Sequence, residues 1–312
     1  MTAATIVVAF GGNALWPRDG TGEPAEQIAN ARRACAPLVD RLRGGARLVI
    51  VFGNGPQVGA ELLRHHAARA EVAPAPLDAC VAATQGSMGY MLELALRAEL
   101  IHAGVDVPVT SVSTLVRVDP ADPAFATPTK PVGPFYDAAE AARLRARGWT
   151  IVAQPGGGFR RVVASPRPSA LVDAAAIHTL LDAGHVVVAG GGGGVPVTRA
   201  ADGALVGVEA VIDKDHTAAL LGRTVGAREL YDLTNIDYVY RSFGRADAVP
   251  LPTLTTAEAR RYAAAGEFPA GTMGPKIDAA LDFLATGDRV LITALPRLAD
   301  ALAGHCGTWI TP

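Results

Sequence analysis

The sequence predicts an α/β fold, with a mainly parallel sheet covered by helices on both faces. Two observations lead there. Short β-branched runs stopped by glycine alternate with longer Ala/Leu/Arg stretches of helical spacing. The runs are apolar throughout, as strands buried on both faces require. A third observation adds a lobe. Residues 113–168 are rich in proline and glycine and read as an inserted excursion, a protruding lid made of short irregular strands.

In chain order, strands are expected at 5–10 (TIVVAF), 47–52 (RLVIVF), 185–190 (HVVVAG) and 289–295 (RVLITAL). Helical spacing marks 26–43, 57–70, 81–103, 169–183, 256–265 and 276–286. Within the excursion, 137–148 (DAAEAARLRARG) is an amphipathic helix. Ligands of such sheets gather beyond the carboxyl ends of the strands, and the glycine clusters of this chain lie at those ends.

Composition narrows the function. The chain has 312 residues, 50% of them apolar and 19% charged, which is ample for a core of one large domain or two lobes. A net charge of −2 favours neither nucleic acid nor an anionic membrane surface, so any anion site must be built locally. The N-terminus MTAATIVVAFGG has no basic region ahead of its short apolar run, so it is not read as a signal peptide. No uncharged apolar stretch approaches the ~20 residues of a spanning helix. A soluble, cytoplasmic protein is the expectation. Cys35, Cys80 and Cys306 are spaced for neither a disulfide framework nor a zinc site, and no HExxH occurs, so no protein-held metal is assigned.

Lysine usage is sharper. Lys+Arg totals 28, yet Lys130, Lys214 and Lys276 are the only lysines. A coding bias that replaced lysine by arginine would leave those for which arginine does not serve. An ammonium on a flexible stem meets a phosphate oxygen as a point charge where a planar guanidinium does not fit. Each survivor sits among Gly, Pro or Asp, in PTKPVGP, VIDKDH and GTMGPKID.

Six strings carry candidate chemistry. GGNAL (11–15) directly follows a strand, and its consecutive amides can form a concavity for oxygens. It matches neither GxGxxG nor GxxxxGK[ST], so a dinucleotide fold or a P-loop is not supported. GNGPQVG (53–59) also follows a strand, and Asn13 and Asn54 each offer a donor and an acceptor to a small planar ligand. AGGGGGVPV (189–197) reads as a backbone cradle for phosphate. VIDKD (211–215) opens a helix, so amides accompany Lys214 at an anion site, with Asp213 positioning lysines or a metal-bound water. LTNIDYVY (233–240) offers Thr, Asn and Asp to a ribose or base. GTMGPKID (271–278) places Lys276 in a helix first turn, a cation against the dipole that an anion would explain. With no GxSxG and no activated nucleophile, this set suits direct phosphoryl transfer by charge neutralisation and in-line alignment.

These residues resemble the amino acid kinase superfamily and, within it, the carbamate kinases. The likeness runs almost end to end: VVAFGGNAL, FGNGPQVG, TQGSMGYMLE (84–93), VDPADPAF with PTKPVGPFY (118–136), RRVVASPRP (160–168), GGGGVPV, GVEAVIDKD (207–215), LTNIDYVY, GTMGPKID and GTWI (307–310). The resemblance implies a three-layer αβα sandwich, a small protruding subdomain carrying Lys130, and a homodimer. It implies ATP/ADP with Mg²⁺ carried by the nucleotide, and carbamate and carbamoyl phosphate as the small-molecule partners. It also implies an acceptor-binding lobe over 1–200, including the subdomain at about 113–168, and a nucleotide-binding lobe over 201–312. In those terms Gly11, Gly12, Asn13, Gly53, Asn54 and Gly55 border phosphate and carbamate, with Gly192 and Gly193 beside them. Lys130 reaches in from the lid, and Lys214 and Lys276 neutralise phosphate with Asp213 organising them. Thr234, Asn235, Asp237, Tyr240, Met273, Gly274 and Pro275 hold the nucleotide.

The chain departs from that family's pattern in three places. Phe52 stands where histidine usually precedes GNGPQVG. Ala153, Gln154, Pro155, Gly156, Gly157 and Gly158 replace a Glu-Asp-Ala-Gly-Arg-Gly string, and Leu115 stands where a polar residue is common. These changes bear on acceptor affinity and lid closure. They keep two alternatives open: a related phosphotransferase with another small acid or amide acceptor, and a nucleotide-binding sensor with impaired catalysis.

Overall fold

The computed structural model describes residues 4–17, 20–154, 157–269 and 272–312. The chain enters on β1 (Thr5–Phe10), passes through α1 (Pro24–Cys35) and α2 (Val39–Arg43), and returns in β2 (Arg47–Phe52). Helices α3 (Gly55–Ala68) and α4 (Leu77–Ala103) lead to β3 (Val109–Ser111). The excursion holds β4 (Leu115–Val118), β5 (Lys130–Tyr136), α5 (Ala138–Arg145), β6 (Ile151–Ala153) and β7 (Phe159–Val163), and β8 (Pro168–Leu171) follows it. Next come α6 (Ala174–Asp182), β9 (Val186–Val188), β10 (Val195–Arg199), β11 (Leu205–Gly207) and α7 (Lys214–Thr224). Strand β12 (Glu229–Thr234) leads into the β13 (Val239–Arg241) and β14 (Val249–Leu251) pair. The chain continues through β15 (Thr253–Thr255), α8 (Thr256–Ala264), α9 (Met273–Phe283), β16 (Arg289–Ala294), α10 (Leu298–Leu302) and β17 (Thr308–Thr311).

The central sheet has eight strands in the order β15-β17-β16-β12-β1-β2-β9-β3. Its pairs are parallel except β16 with β17. Double burial explains the unbroken apolar runs. From β1, Val7 and Ala9 face one core with residues of α6, α7, α8 and α9. Ile6, Val8 and Phe10 face the other, with α1, α2, α4 and α10. Helix–sheet–helix layering follows, since each strand has an apolar side to cover on both faces.

Two helical expectations need correction. The 26–43 stretch is not one helix. A 3-10 turn at Ala36–Leu38, with Pro37 inside it, separates α1 from α2 because proline supplies no N–H to continue the ladder. The 169–183 stretch begins as strand β8, paired antiparallel with β4. Asp173 accepts from the Leu115 amide at 2.7 Å, and the helix starts only after it.

Two small sheets adjoin the central one: β11-β10-β4-β8, to which the excursion gives β4, and β5-β7-β6, which lies wholly within the excursion. The second forms the lid with α5, around Ala141, Leu144 and Ile151. It sits directly on α3. A Cβ added to Gly59 would fall 2.1 Å from the Gly133 Cα, so backbone meets backbone there and only glycine fits.

Candidate active site

The carboxyl ends of β1, β2 and β12 open onto a cavity of about 540 Å³ that all three lysines line. Each comes from a different element: Lys130 from the lid strand β5, Lys214 from the first residue of α7, and Lys276 from the first turn of α9. Lys214 pairs with Asp215 and donates to Asp232 at 3.0 Å. Lys276 donates to Asp232 at 2.8 Å and to Asp215 at 3.1 Å. Two ammonium groups and two carboxylates thus form one closed quartet. Lys130 crosses from the lid to Asp213, donating at 2.6 Å.

These charges are desolvated, so their mutual pull is strong. The Lys214 and Lys276 side chains are 11% and 12% exposed, and those of Asp215 and Asp232 only 7% and 4%. Burial alone would lower the Lys214 pKa, but Asp215 and Asp232 outweigh it and hold it above the ordinary lysine value. Burial would likewise raise Asp215, yet Lys214 and Lys276 keep it far below the usual carboxylate range. Asp213 lies below its ordinary value for the same reason, burial being overcome by Lys130.

Helix starts surround this charge. Asp213 caps α7 by accepting from the Asp215 amide at 3.0 Å. Helices α3 and α9 carry no side-chain cap, and their first residues line the cavity at Gly55, Pro56, Met273, Pro275 and Lys276. The positive ends of these two helix dipoles therefore face the same space as the lysines, an arrangement that suits a polyanion, although Pro56 and Pro275 carry no N–H and the Gly274 amide donates to Pro269.

Of the other sequence candidates, Gly12, Asn13, Gly53, Asn54, Gly192, Thr234, Asn235 and Tyr240 line the cavity. Gly11, Gly193, Asp237 and Gly274 lie just outside it. The Gly11 carbonyl accepts from Ala14, Gly193 from the Thr217 hydroxyl at 2.7 Å, and Asp237 from the Thr293 hydroxyl at 3.4 Å, while the Gly274 amide donates to Pro269. Gly271, Pro155 and Gly156 fall outside the described residues. The glycine run is mainly a packing device. Added Cβ atoms would fall 2.3 Å from the Phe52 ring at Gly191, 2.4 Å from Asn54 Nδ2 at Gly192, and 2.4 Å from the Ile212 carbonyl at Gly193. Within it, Gly192 is the residue that reaches the cavity.

The chain is similar to known proteins along nearly its whole length. A sequence model described as the amino acid kinase family matches residues 4–294. A carbamate kinase of Thermococcus kodakarensis is 43% identical over 98% of each chain. Carbamate kinase 2 of Enterococcus faecalis is 43% identical over 94% of each. The structure of a Giardia lamblia carbamate kinase bound to AMP-PNP superposes with a TM-score of 0.91 at 37% identity, covering 100% of this chain and 99% of that one. The chain belongs to the amino acid kinase family, on its carbamate kinase branch.

Against the carbamate kinase pattern, the structure gives Phe52 a buried place against Gly191, 1% exposed and therefore part of the core. Ala153 and Gln154 sit at the end of the lid strand β6, where Gln154 bonds the backbone of Ala153. Three features of this cavity carried no role in the sequence reading. Asp215 and Asp232 hold Lys214 and Lys276, the organising part expected of Asp213, whose own lysine is Lys130. Asp215 lay in view in the IDKD string, but a lone acid in a strand such as Asp232 gives no signal. Arg160 lines the cavity from β7. Among the described residues no group of three or more His, Cys, Asp or Glu is arranged to hold a metal, and no helix is long and apolar enough to cross a membrane.

Proposed function

We propose that this carbamate kinase family member carries out the reversible transfer ATP + carbamate ⇌ ADP + carbamoyl phosphate at the lysine cavity. A carbamate oxygen attacks the γ-phosphorus, the bond to the ADP oxygen breaks in line, and ADP leaves. In reverse, a β-phosphate oxygen of ADP attacks the phosphorus of carbamoyl phosphate and carbamate leaves. Both attacking groups are anions, so no general base is needed and no enzyme-bound intermediate forms. The observation that carries this reading is the convergence of Lys130, Lys214 and Lys276 with two uncapped helix starts on one cavity. Lys214 and Lys276, fixed by their carboxylates, neutralise phosphoryl oxygens without reorganisation. Lys130 brings the lid's charge to the same point. Gly12, Asn13, Asn54 and Gly192 border the acceptor, and Thr234, Asn235, Tyr240 and Met273 the nucleotide.

Mg²⁺ fits as a passenger on the phosphates. The site's carboxylates are engaged by lysines, and Asp213 and Asp215 are those that line the cavity and would meet its water shell. When bound it would supply positive charge that offsets the phosphates. Residues 1–200 would serve the acceptor and 201–312 the nucleotide, working across one shared sheet. Cys35, Cys80 and Cys306 are free thiols, in keeping with a reducing cytoplasm. A homodimer would use the face where strand β3 edges the sheet and α4 exposes Tyr90, Leu94 and Ile101. Light scattering of the purified protein at twice the chain mass is the expected result, and a monomer mass would remove the dimer.

The decisive assay is ATP formation from ADP, Mg²⁺ and carbamoyl phosphate, with acetyl phosphate as the competing phosphoryl donor. Turnover with carbamoyl phosphate is expected to exceed that with acetyl phosphate. The reverse preference would point to another small acid, and tight ADP binding without transfer to a sensor. Retention of all three lysines at the cavity argues against the sensor.

A further inference from the structure

The cationic side chains lining the cavity differ in one respect. Lys130, Lys214 and Lys276 each meet a carboxylate. Arg160 meets none among the described residues. Its recorded contacts are a hydrogen bond from Nε to the Gly133 carbonyl at 3.0 Å and a stacked position 5.3 Å over the Phe135 ring. A guanidinium has five N–H donors, so the two η nitrogens remain for something else. They belong to a half-buried side chain, and burial pulls its pKa below the ordinary arginine value. A charge in that position lacks a counter-ion, and the cavity it lines is where one would come from.

Its place on the lid decides which anion. Arg160 lies on β7, which pairs with β5, the strand that carries Lys130. Neighbouring residues of a strand point to opposite faces. Arg161 accordingly stacks on Trp149 at 4.4 Å and reaches Glu209, while Arg160 turns to the cavity. The nucleotide-side residues Thr234, Asn235 and Met273 come instead from the end of β12 and the start of α9. The 153–158 string of this lid carries no charge, so Arg160 and Lys130 are the lid's cations at the cavity.

We propose that Arg160 anchors the acceptor, its η nitrogens forming a fork onto the oxygens of carbamate in one direction and of carbamoyl phosphate in the other. Held by Gly133 and Phe135, the fork is pre-set for a planar group with two oxygens, as bidentate recognition requires. The inference rests on the carbamate kinase reading above and adds a binding residue to it.

The test is steady-state ATP formation with the carbamoyl phosphate and ADP concentrations varied separately. Arg160→Gln is expected to raise KM for carbamoyl phosphate about 10- to 100-fold, the loss of a charge-assisted hydrogen-bond pair, and to leave KM for ADP within about twofold. Arg160→Lys, which keeps the charge and loses the fork, is expected to fall between wild type and Arg160→Gln. Arg161→Gln, a control on the opposite face, is expected to leave both KM values within about twofold. Equal rises in both KM values, or no change in either, with an unaltered melting temperature overturns the proposal. If Arg160→Gln does not fold, Arg160→Lys is read by the same criterion. A wild-type protein that makes no ATP from carbamoyl phosphate sinks the carbamate kinase reading and this inference together, whereas an active wild type with an indifferent Arg160→Gln sinks this inference alone.

Discussion

At Lys214 the surroundings explain why lysine, in a chain that otherwise uses arginine, was kept. Its ammonium lies between Asp215 and Asp232, and its stem runs so close to Gly53 that a Cβ there would fall 3.3 Å from Lys214 Cδ. A planar guanidinium is larger than an ammonium and presents its donors in a fixed fork that does not match two carboxylates placed about a point charge. Lys214→Arg is therefore expected to fail nearly as badly as Lys214→Ala. Each should lower kcat/KM for ATP formation by ~10²–10³, by analogy with the loss of one preorganised donor. Lys130→Ala should lose a comparable factor with less effect on stability, because its side chain is 31% exposed and, among the described residues, tied only to Asp213. Coupled kinetics with circular dichroism on the three variants checks this, and near-normal turnover in Lys214→Arg would remove the geometric argument. The lysines were legible in the sequence because they are rare and flanked by motif-like strings. Their carboxylates were less so, since nothing in YDLT distinguishes Asp232 from an exposed strand acid until the sheet brings it to Lys276.

At the scale of elements, the glycine run after β9 makes a separable prediction. Gly192 has φ +65, and a Cβ there would fall 2.4 Å from Asn54 Nδ2, whose bond to Thr84 at 2.8 Å fixes the start of α3. Gly226 has nearly the same φ, +64, with nothing within 4 Å. Alanine at Gly226 should cost only the left-handed backbone term, about 1–2 kcal/mol. At Gly192 an overpacking cost of about 1–3 kcal/mol adds to it, and activity should fall as Asn54 shifts. Urea denaturation of Gly192→Ala beside Gly226→Ala separates the two, and equal losses would show the run to be a turn and nothing more. Strands β1, β2 and β16 were legible almost to the residue because burial on both faces leaves an unbroken apolar run between glycines or charges. The work of the glycines was not legible, because a residue without a side chain does not say what packs against it. Strand β8 hid in an Ala/Leu stretch for a related reason. Its pairing with β4 is a tertiary choice that overrides local helical spacing.

The whole molecule gathers Lys130, Lys214 and Lys276, far apart in the chain, onto one cavity at the ends of a shared sheet, with Asp232 paired to two of them. That gathering links the fold to pH in a defined way. The folded Lys214 pKa lies above its reference value of 10.5, so its contribution to stability is complete below that pH and fades as pH rises through the folded value. Asp215 lies below its reference of 3.8, so its contribution is complete above that pH and is lost only as pH falls through the depressed folded value. Between about pH 5 and 9 Lys214 and Asp215 therefore each keep one protonation state. The stability difference between wild type and Lys214→Gln is expected to stay constant across that range and to shrink above pH 10.5. The activity profile in the same range should show no limb belonging to Lys214 or Asp215. Melting curves of both proteins from acid to alkaline pH make the comparison. A difference that collapsed near neutrality would mean that one partner titrates there, and the preorganised charge on which the transfer depends would not exist at working pH.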